Sequence, residues 1–395
     1  MSARFPTELL GTVVQYTSKD TQACLSVVSR DVYFISARML YASISEMGIS
    51  RATKCLLTLS SNPKLACLVR SFSLNSPFSS RFPQSFCTPL TRALAKMTGL
   101  QTLLLVGVFA TSSVVSQMPC KLTKLVYNLP CEDSYPISQF LSTQPTIKDL
   151  TIDFQLGGIS ALGLEALPAL RRLSAPVPLL FTLLPSQLSR LSQLSILGVK
   201  ANHSFFCHLV LFFQLSKLPK SLELSIAMDI TAYLKTPEVV SLGLALIGLV
   251  APCVSLLRLT TISQGYIGQE ELQNMFVFAL PWFPNLKTLV IIAPPPAPGA
   301  YTRDSPPDYM QPISVAINSL HDLLVSLSRV PVDLSPLLQV EPYQTPNQPN
   351  PVPDAIHHKP YHNRILKAWR RAHCGLECVI FPTGTYIYKK EGWEE

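Results

Sequence analysis

Near the C-terminus, His357, His358, His362, His373, Cys374 and Cys378 gather six potential metal ligands within 22 residues. Imidazoles and thiolates in combination are the donor set of a tetrahedral zinc centre. Their spacing follows no common zinc pattern, however, and Pro360 breaks any single helical face that could align the first three, so no metal site is expected. Phosphate or hydrolytic chemistry finds no better footing. The chain has no GxxxxGK[ST], no HExxH, no GxSxG and no GxGxxG after a strand. Catalytic triads are assembled in space rather than along the chain, so the architecture has to carry the rest of the argument. The expectation is a protein that is not an enzyme and holds no cofactor.

Composition points to many short elements. Charged residues make up 14% of the 395 positions, against roughly 25% in an ordinary soluble chain. Proline is frequent, at 34 residues, and glycine sparse, at 16. The 32 basic and 24 acidic residues leave a net charge of +8. This mild excess, partly concentrated near the C-terminus, does not require a nucleic-acid partner, and none is expected. Ten cysteines are scattered without a CxxC pair, and MSARFPTELL lacks a secretory pattern because Glu8 interrupts the apolar run. The expected compartment is therefore reducing, cytoplasmic or nuclear. In such a compartment the sequon Asn202-His203-Ser204 has no consequence.

One apolar stretch, VVSLGLALIGLVAPCVSLL, runs uncharged for nineteen residues between Glu238 and Arg258. That is near the length of a membrane span. Pro252 splits it, Ser241 and Gly243 dilute it, and neither flank is rich in Lys or Arg. Thr236 as N-cap and Pro237 at the first helical position start a helix here. The expectation is a buried helix followed by a strand, with no membrane span.

A pattern of the form L-x-x-L-x-L recurs through the middle of the chain. Copies begin at Val69, Leu100, Leu122, Ile147, Leu170, Leu194, Val254 and Leu286, with a looser one, PKSLEL, ending at Leu224. From Leu100 to Leu194 the steps are 22, 25, 23 and 24 residues. Alternation within each copy makes a short strand with one buried face, and the residues between copies form helices that cover it. In TPLTRALAKMTG, Thr88 is placed as N-cap, Pro89 at the first position, Leu90, Leu94 and Met97 on the buried face, and Gly99 at the exit. SYPISQFLSTQP repeats the plan with Ser134 and Pro136 before Ile137, Phe140 and Leu141. A unit this small cannot bury its apolar face alone and must stack on its neighbours.

The middle of the chain, residues 46–292, thus resembles a leucine-rich-repeat array, an irregular α/β solenoid or horseshoe. The family often places Asn or Cys eight residues after the first leucine; here only Asn202, counted from Leu194, fits. The resemblance implies a concave strand face that binds a protein target. The residues between the buried leucines are Lys124, Val126, Asp149, Thr151, Asp153, Arg172, Ser174, Lys200 and Glu223. With Asp149 and Asp153 between Lys124 and Arg172, the face suits a target of mixed charge, or charges that satisfy one another.

Residues 1–45 carry more apolar positions than a unit of their size can bury. Leu9, Leu10, Val13 and Val14 form one stripe, and Ala23, Cys24, Leu25, Val27 and Val28 crowd the next segment. Three landmarks stand in order: Phe5, Pro6, Glu8, Leu9 and Leu10; then Asp20, Leu25, Ser26, Val28, Ser29 and Arg30; then Ala37, Arg38, Leu40 and Tyr41. This stretch resembles the F-box, a three-helix motif. The resemblance implies docking of the small Skp adaptor, and through it a cullin, by Phe5, Pro6, Leu9, Leu10, Val13, Leu25, Val28 and Leu40. An F-box ahead of leucine-rich repeats resembles the substrate-receptor subunit of a Skp/cullin/F-box ubiquitin ligase. The alternative is a repeat scaffold whose front only caps the first repeat.

After the array comes a proline-rich loop, 293–312, and then a region, 313–395, expected to cap the array. That region holds the helix SVAINSLHDLLVSLSR, a second proline-rich stretch over 342–360, a helix with Asn363 as N-cap and Gly375 at the exit, and the strand LECVIFP.

Overall fold

The computed structural model describes residues 6–45, 47–75, 84–107, 115, 118–128, 137–153, 166–183, 188–199, 203–228, 237–261, 267–295, 313–328, 354–389 and 392–395. The chain is a mixed α/β protein that divides into two compact units, Met1–Arg171 and Arg172–Glu395. Phe5, Ser134, Pro136, Lys200, Asn202 and Thr236, all named above, lie outside the described residues, as do most of the two proline-rich stretches.

The first unit opens with helices α1 (Thr7–Gln15), α2 (Lys19–Leu25) and α3 (Arg30–Ala42). Ser18 and Ser29 start the second and third by accepting hydrogen bonds from the backbone N–H groups of Thr21, at 3.2 Å, and Val32, at 3.3 Å. Both α1 and α2 pack on α3. Val14, Ala37, Ser36 and Gln22 are buried between them. Gln22 is a polar residue in this small core, and it is satisfied there: its Nε2 donates to the carbonyls of Val14, at 3.0 Å, and Thr17, at 3.2 Å.

Next come β1 (Ser43–Ile44), α4 (Ile49–Ser61), α5 (Pro63–Ala66), β2 (Ser71–Asn75), α6 (Gln84–Lys96), β3 (Thr102–Val106), β4 (Lys124–Asn128), α7 (Ile137–Ser142) and β5 (Asp149–Ile152). The five strands pair in parallel and in chain order. Because each new strand joins the same edge, right-handed crossovers put every helix on the same face. Burial agrees: in β4, Leu125 and Tyr127 are buried while Lys124, Val126 and Asn128 are not.

Two details of α6 differ from expectation. The helix starts at Gln84, so Thr88 is not its N-cap and Pro89 lies inside it, where one i→i−4 hydrogen bond is forgone. Gly99 ends nothing by a left-handed turn; it permits a close approach, since a Cβ there would stand 2.8 Å from the Cys67 carbonyl oxygen. The Arg70 guanidinium occupies that corner and donates to the Gly99 carbonyl at 2.9 Å.

The second unit contains β6 (Arg172–Ala175), α8 (Val177–Leu183), β7 (Gln193–Val199), α9 (His203–Leu215), β8 (Leu222–Met228), α10 (Pro237–Val250), β9 (Val254–Thr261), α11 (Gln269–Ala279), β10 (Thr288–Ile292), α12 (Ile313–Ser328), α13 (Lys359–Ala372), β11 (Cys378–Phe381), β12 (Gly384–Lys389) and β13 (Gly392–Glu394). Strands β6 to β11 are parallel and in order, and β12 and β13 turn back antiparallel. Helix α10 packs against α9, α11 and α12. Val239 to Gly248 are buried on every side of it, which is why its sequence shows no amphipathic period. Among the described residues, no helix is long and apolar enough to cross a membrane.

A backbone turn marks where most copies of the motif begin. The N–H of its first residue donates to the carbonyl three residues back at Val69, Leu100, Ile147, Leu170, Leu191, Val254, Leu286 and Leu376. This corrects the copy assigned to Leu194. Leu194 pairs with Leu173, the fourth position of its own copy, so the motif begins at Leu191, as LSQLSI. Counted from Leu191, Asn202 no longer falls eight residues after the first leucine. The Leu376 copy was hidden in the stretch expected to cap the array: Val379 pairs with Leu289, and α13 precedes it as the other helices precede their strands. His358, not Asn363, stands at the N-cap of α13.

Candidate docking surfaces

The first surface is the front of α1, α2 and α3. Among the described residues, seven of the thirteen exposed large apolar side chains lie in the first 34 positions. They include Leu9 at 52%, Val13 at 53%, Tyr16 at 84%, Val27 at 86%, Val28 at 68% and Phe34 at 65% exposure. Pro6 is exposed as well, while Leu10, Leu25 and Leu40 are half-buried. The residues expected to meet an adaptor thus divide in two: Pro6, Leu9, Val13 and Val28 are exposed, and Leu10, Leu25 and Leu40 are half-buried. A three-helix unit has one small interior, so the outward set has no partner within it.

The second surface is the strand face opposite the buried leucines, whose rows follow from the register. In the first unit, one row runs Ser71, Thr102, Lys124, Asp149 and the next Ser73, Leu104, Val126, Thr151. Lys124 and Asp149 meet as an ion pair at 3.4 Å, and Asn128 donates to the Asp153 carboxylate at 3.3 Å. The acidic and basic residues expected to read a target here are engaged with neighbours on their own sheet.

In the second unit, the rows run Arg172, Gln193, Glu223, Leu256, Thr288, Cys378, Ile387 and Ser174, Ser195, Ser225, Arg258, Val290, Ile380, Thr385. The face passes from uniformly polar and charged side chains on β6 to β8 to a mixture with aliphatic ones on β9 to β12. Arg258 sits at the transition, with its buried Nε lacking any hydrogen-bond partner. Leu256 and Arg258 occupy the third and fifth positions of the Val254 copy, so the rule that selected Lys124 and Val126 also selects them.

Three of the four histidines near the C-terminus, His357, His362 and His373, are spent on packing. His357 Nδ1 lies 2.6 Å from the Asp354 carboxylate and its Nε2 3.3 Å from the Ala293 carbonyl. His362 bonds the Tyr386 hydroxyl at 2.9 Å and the Ile356 carbonyl at 3.2 Å, and its ring stacks on Phe381 at 3.9 Å. Burial holds the His362 imidazole below its ordinary pKa. His373 Nε2 bonds the Leu286 carbonyl at 2.8 Å, tying α13 to the β10 turn. Among the described residues, no three His, Cys, Asp or Glu side chains converge as metal ligands would. The nine described cysteines are free thiols, and burial pushes that of Cys120 up to about 11.

No protein-family model matches the chain, and no curated protein matches it.

Proposed function

We propose that the chain is the substrate-recognition subunit of a Skp/cullin/F-box ubiquitin ligase, its three-helix front acting as an F-box and its strand–helix units as an irregular leucine-rich-repeat array. The observation that carries this reading is the concentration of exposed aliphatic and aromatic side chains on α1 to α3. They accompany the Pro6, Glu8, Leu9, Leu10 landmark and its two successors. A solvent-facing apolar set of this kind is the signature of a partner surface. The recurring L-x-x-L-x-L copies, eight of them opened by the same turn, support the repeat half of the reading.

In this role the chain makes and breaks no bonds. It holds a target protein so that the ligase's ubiquitin-charged partner meets the target's lysines at high effective concentration. The second unit's strand face offers Arg258, whose buried Nε has no hydrogen-bond partner, beside Leu256, Val290 and Ile380, which suits a target segment carrying a carboxylate among apolar residues. Co-purification with the Skp adaptor tests the assignment. Retention of the adaptor by the intact chain is the expected result; a folded chain that retains none is instead a repeat scaffold without a ligase.

A further inference from the structure

A cleft of about 460 Å³ lies between α13 and the β12–β13 hairpin, within the range of small-ligand sites. Its helical wall carries Lys367, Arg370 and Arg371, and its other wall Tyr388 and Trp393. Residues three and four apart on a helix are surface neighbours, so the three cations repel one another. The negative end of the helix accounts for Arg370 and Arg371 in the last turn, but not for Lys367. Nearby carboxylates are committed elsewhere: Glu395 to Lys359, Glu394 to Lys389 and Glu377 to Lys287. Among the described residues, no ion pair reaches Lys367 or Arg371.

The rest of the cleft is held in place. Arg370 Nη1 donates to the Leu376 carbonyl at 2.7 Å, and its guanidinium carbon stands 4.0 Å from the centre of the Tyr388 ring. Trp393 Nε1 donates to the Leu366 carbonyl at 3.2 Å, and its ring meets Tyr388 edge-on at 5.4 Å. Fixed aromatic rings beside uncompensated cations match a molecule that is anionic at one end and planar at the other. We propose that this cleft binds a small phosphomonoester bearing a planar ring, of the nucleoside monophosphate class, with its phosphate on Lys367 and Arg371 and its ring against Trp393. This site stands apart from the docking surfaces and does not depend on the ligase assignment.

Calorimetric titration of the full chain with AMP, inorganic phosphate and adenosine tests the proposal. AMP is expected to saturate one site, and the ring should strengthen binding at least about tenfold over inorganic phosphate. The double variant Lys367→Gln, Arg371→Gln changes two exposed side chains, so it should fold as the wild type does and lose about tenfold or more of the AMP affinity. Trp393→Phe should remove any fluorescence change on AMP addition while leaving calorimetric binding in place. No saturable AMP binding, or AMP affinity unchanged in the double variant, overturns the site. Equal affinity for AMP and inorganic phosphate overturns the aromatic half, and binding of an RNA oligonucleotide without AMP binding overturns the assignment to a small molecule.

Discussion

The Gln144 side chain does for Leu122 what a backbone turn does for eight other motif copies. Its Oε1 accepts from the Leu122 N–H at 2.9 Å, and its Nε2 donates to the Cys120 carbonyl at 3.1 Å. Leu122 has no i→i−3 turn bond of its own, and Gln144, 3% exposed, reaches from the following unit to fill the gap. Thr146 adds a bond from its hydroxyl to the Leu122 carbonyl at 2.7 Å.

Gln144→Leu should therefore strand two buried backbone groups at once. Each unsatisfied group costs about 1–3 kcal/mol, so the variant should lose about 2–6 kcal/mol in urea unfolding. Thr146→Ala touches the same turn less deeply and should lose about 1 kcal/mol.

Two glycines inside helices should respond in opposite directions to the same substitution. A Cβ on Gly243 in α10 would stand 2.3 Å from the ring of Phe206, which is itself fully buried, whereas one on Gly11 in α1 would meet nothing within 4 Å. Gly243→Ala should destabilise by about 1–3 kcal/mol through overpacking, against the helix propensity it gains. Gly11→Ala should stabilise by up to about 1 kcal/mol. Denaturation midpoints of the two variants check both signs.

The lowered pKa of His362 gives stability a pH dependence whose sign is fixed. Burial disfavours its charged form in the fold; the Ile356 and Ala355 carbonyls and Glu395 oppose that shift, and His358 adds to it. The unfolded chain therefore takes up the proton first, near the ordinary value of 6.5, and stability falls from there as pH drops toward the folded pKa. Above that window the contribution is fully present. His362→Gln should remove this part of the slope, which urea melts across the window would reveal.

Charge on the first unit's strand face should matter little to folding. Lys124 is 44% exposed in its pair with Asp149, so Lys124→Met should change stability by no more than about 1 kcal/mol. A larger loss would mean that the pair is structural rather than a solvated contact.

The strands and their buried faces were legible because period-two alternation is written in adjacent residues such as Leu125 and Tyr127. The buried helix α10 was legible for its length and its proline stop. Register was harder. LSQLSILGV carries aliphatic residues at three-residue intervals, so Leu191 and Leu194 both satisfy the first position, and only the pairing of Leu194 with Leu173 decides between them. Local helix signals misled where tertiary contacts outweigh them, as at Thr88-Pro89, which reads as a helix start yet lies inside α6. The Gln144 bridge could not be read at all, since nothing in the sequence marks a side chain that completes a turn 22 residues away.

The outward division of the front helices supplies the most direct test of the ligase assignment. Leu10 and Leu25 are half-buried, so their replacement would confuse unfolding with lost docking, whereas Leu9 and Val28 are exposed. The measurement is the affinity of the full chain for the purified Skp adaptor, for the wild type and for Leu9→Asp, Val28→Asp, after circular dichroism shows equal folding. The account predicts saturable binding by the wild type and a loss of about a hundredfold or more in the variant, since two apolar contacts of about 1.5–3 kcal/mol each are replaced by desolvated charges. Wild-type binding that survives the double substitution, or no binding by either protein, would contradict it.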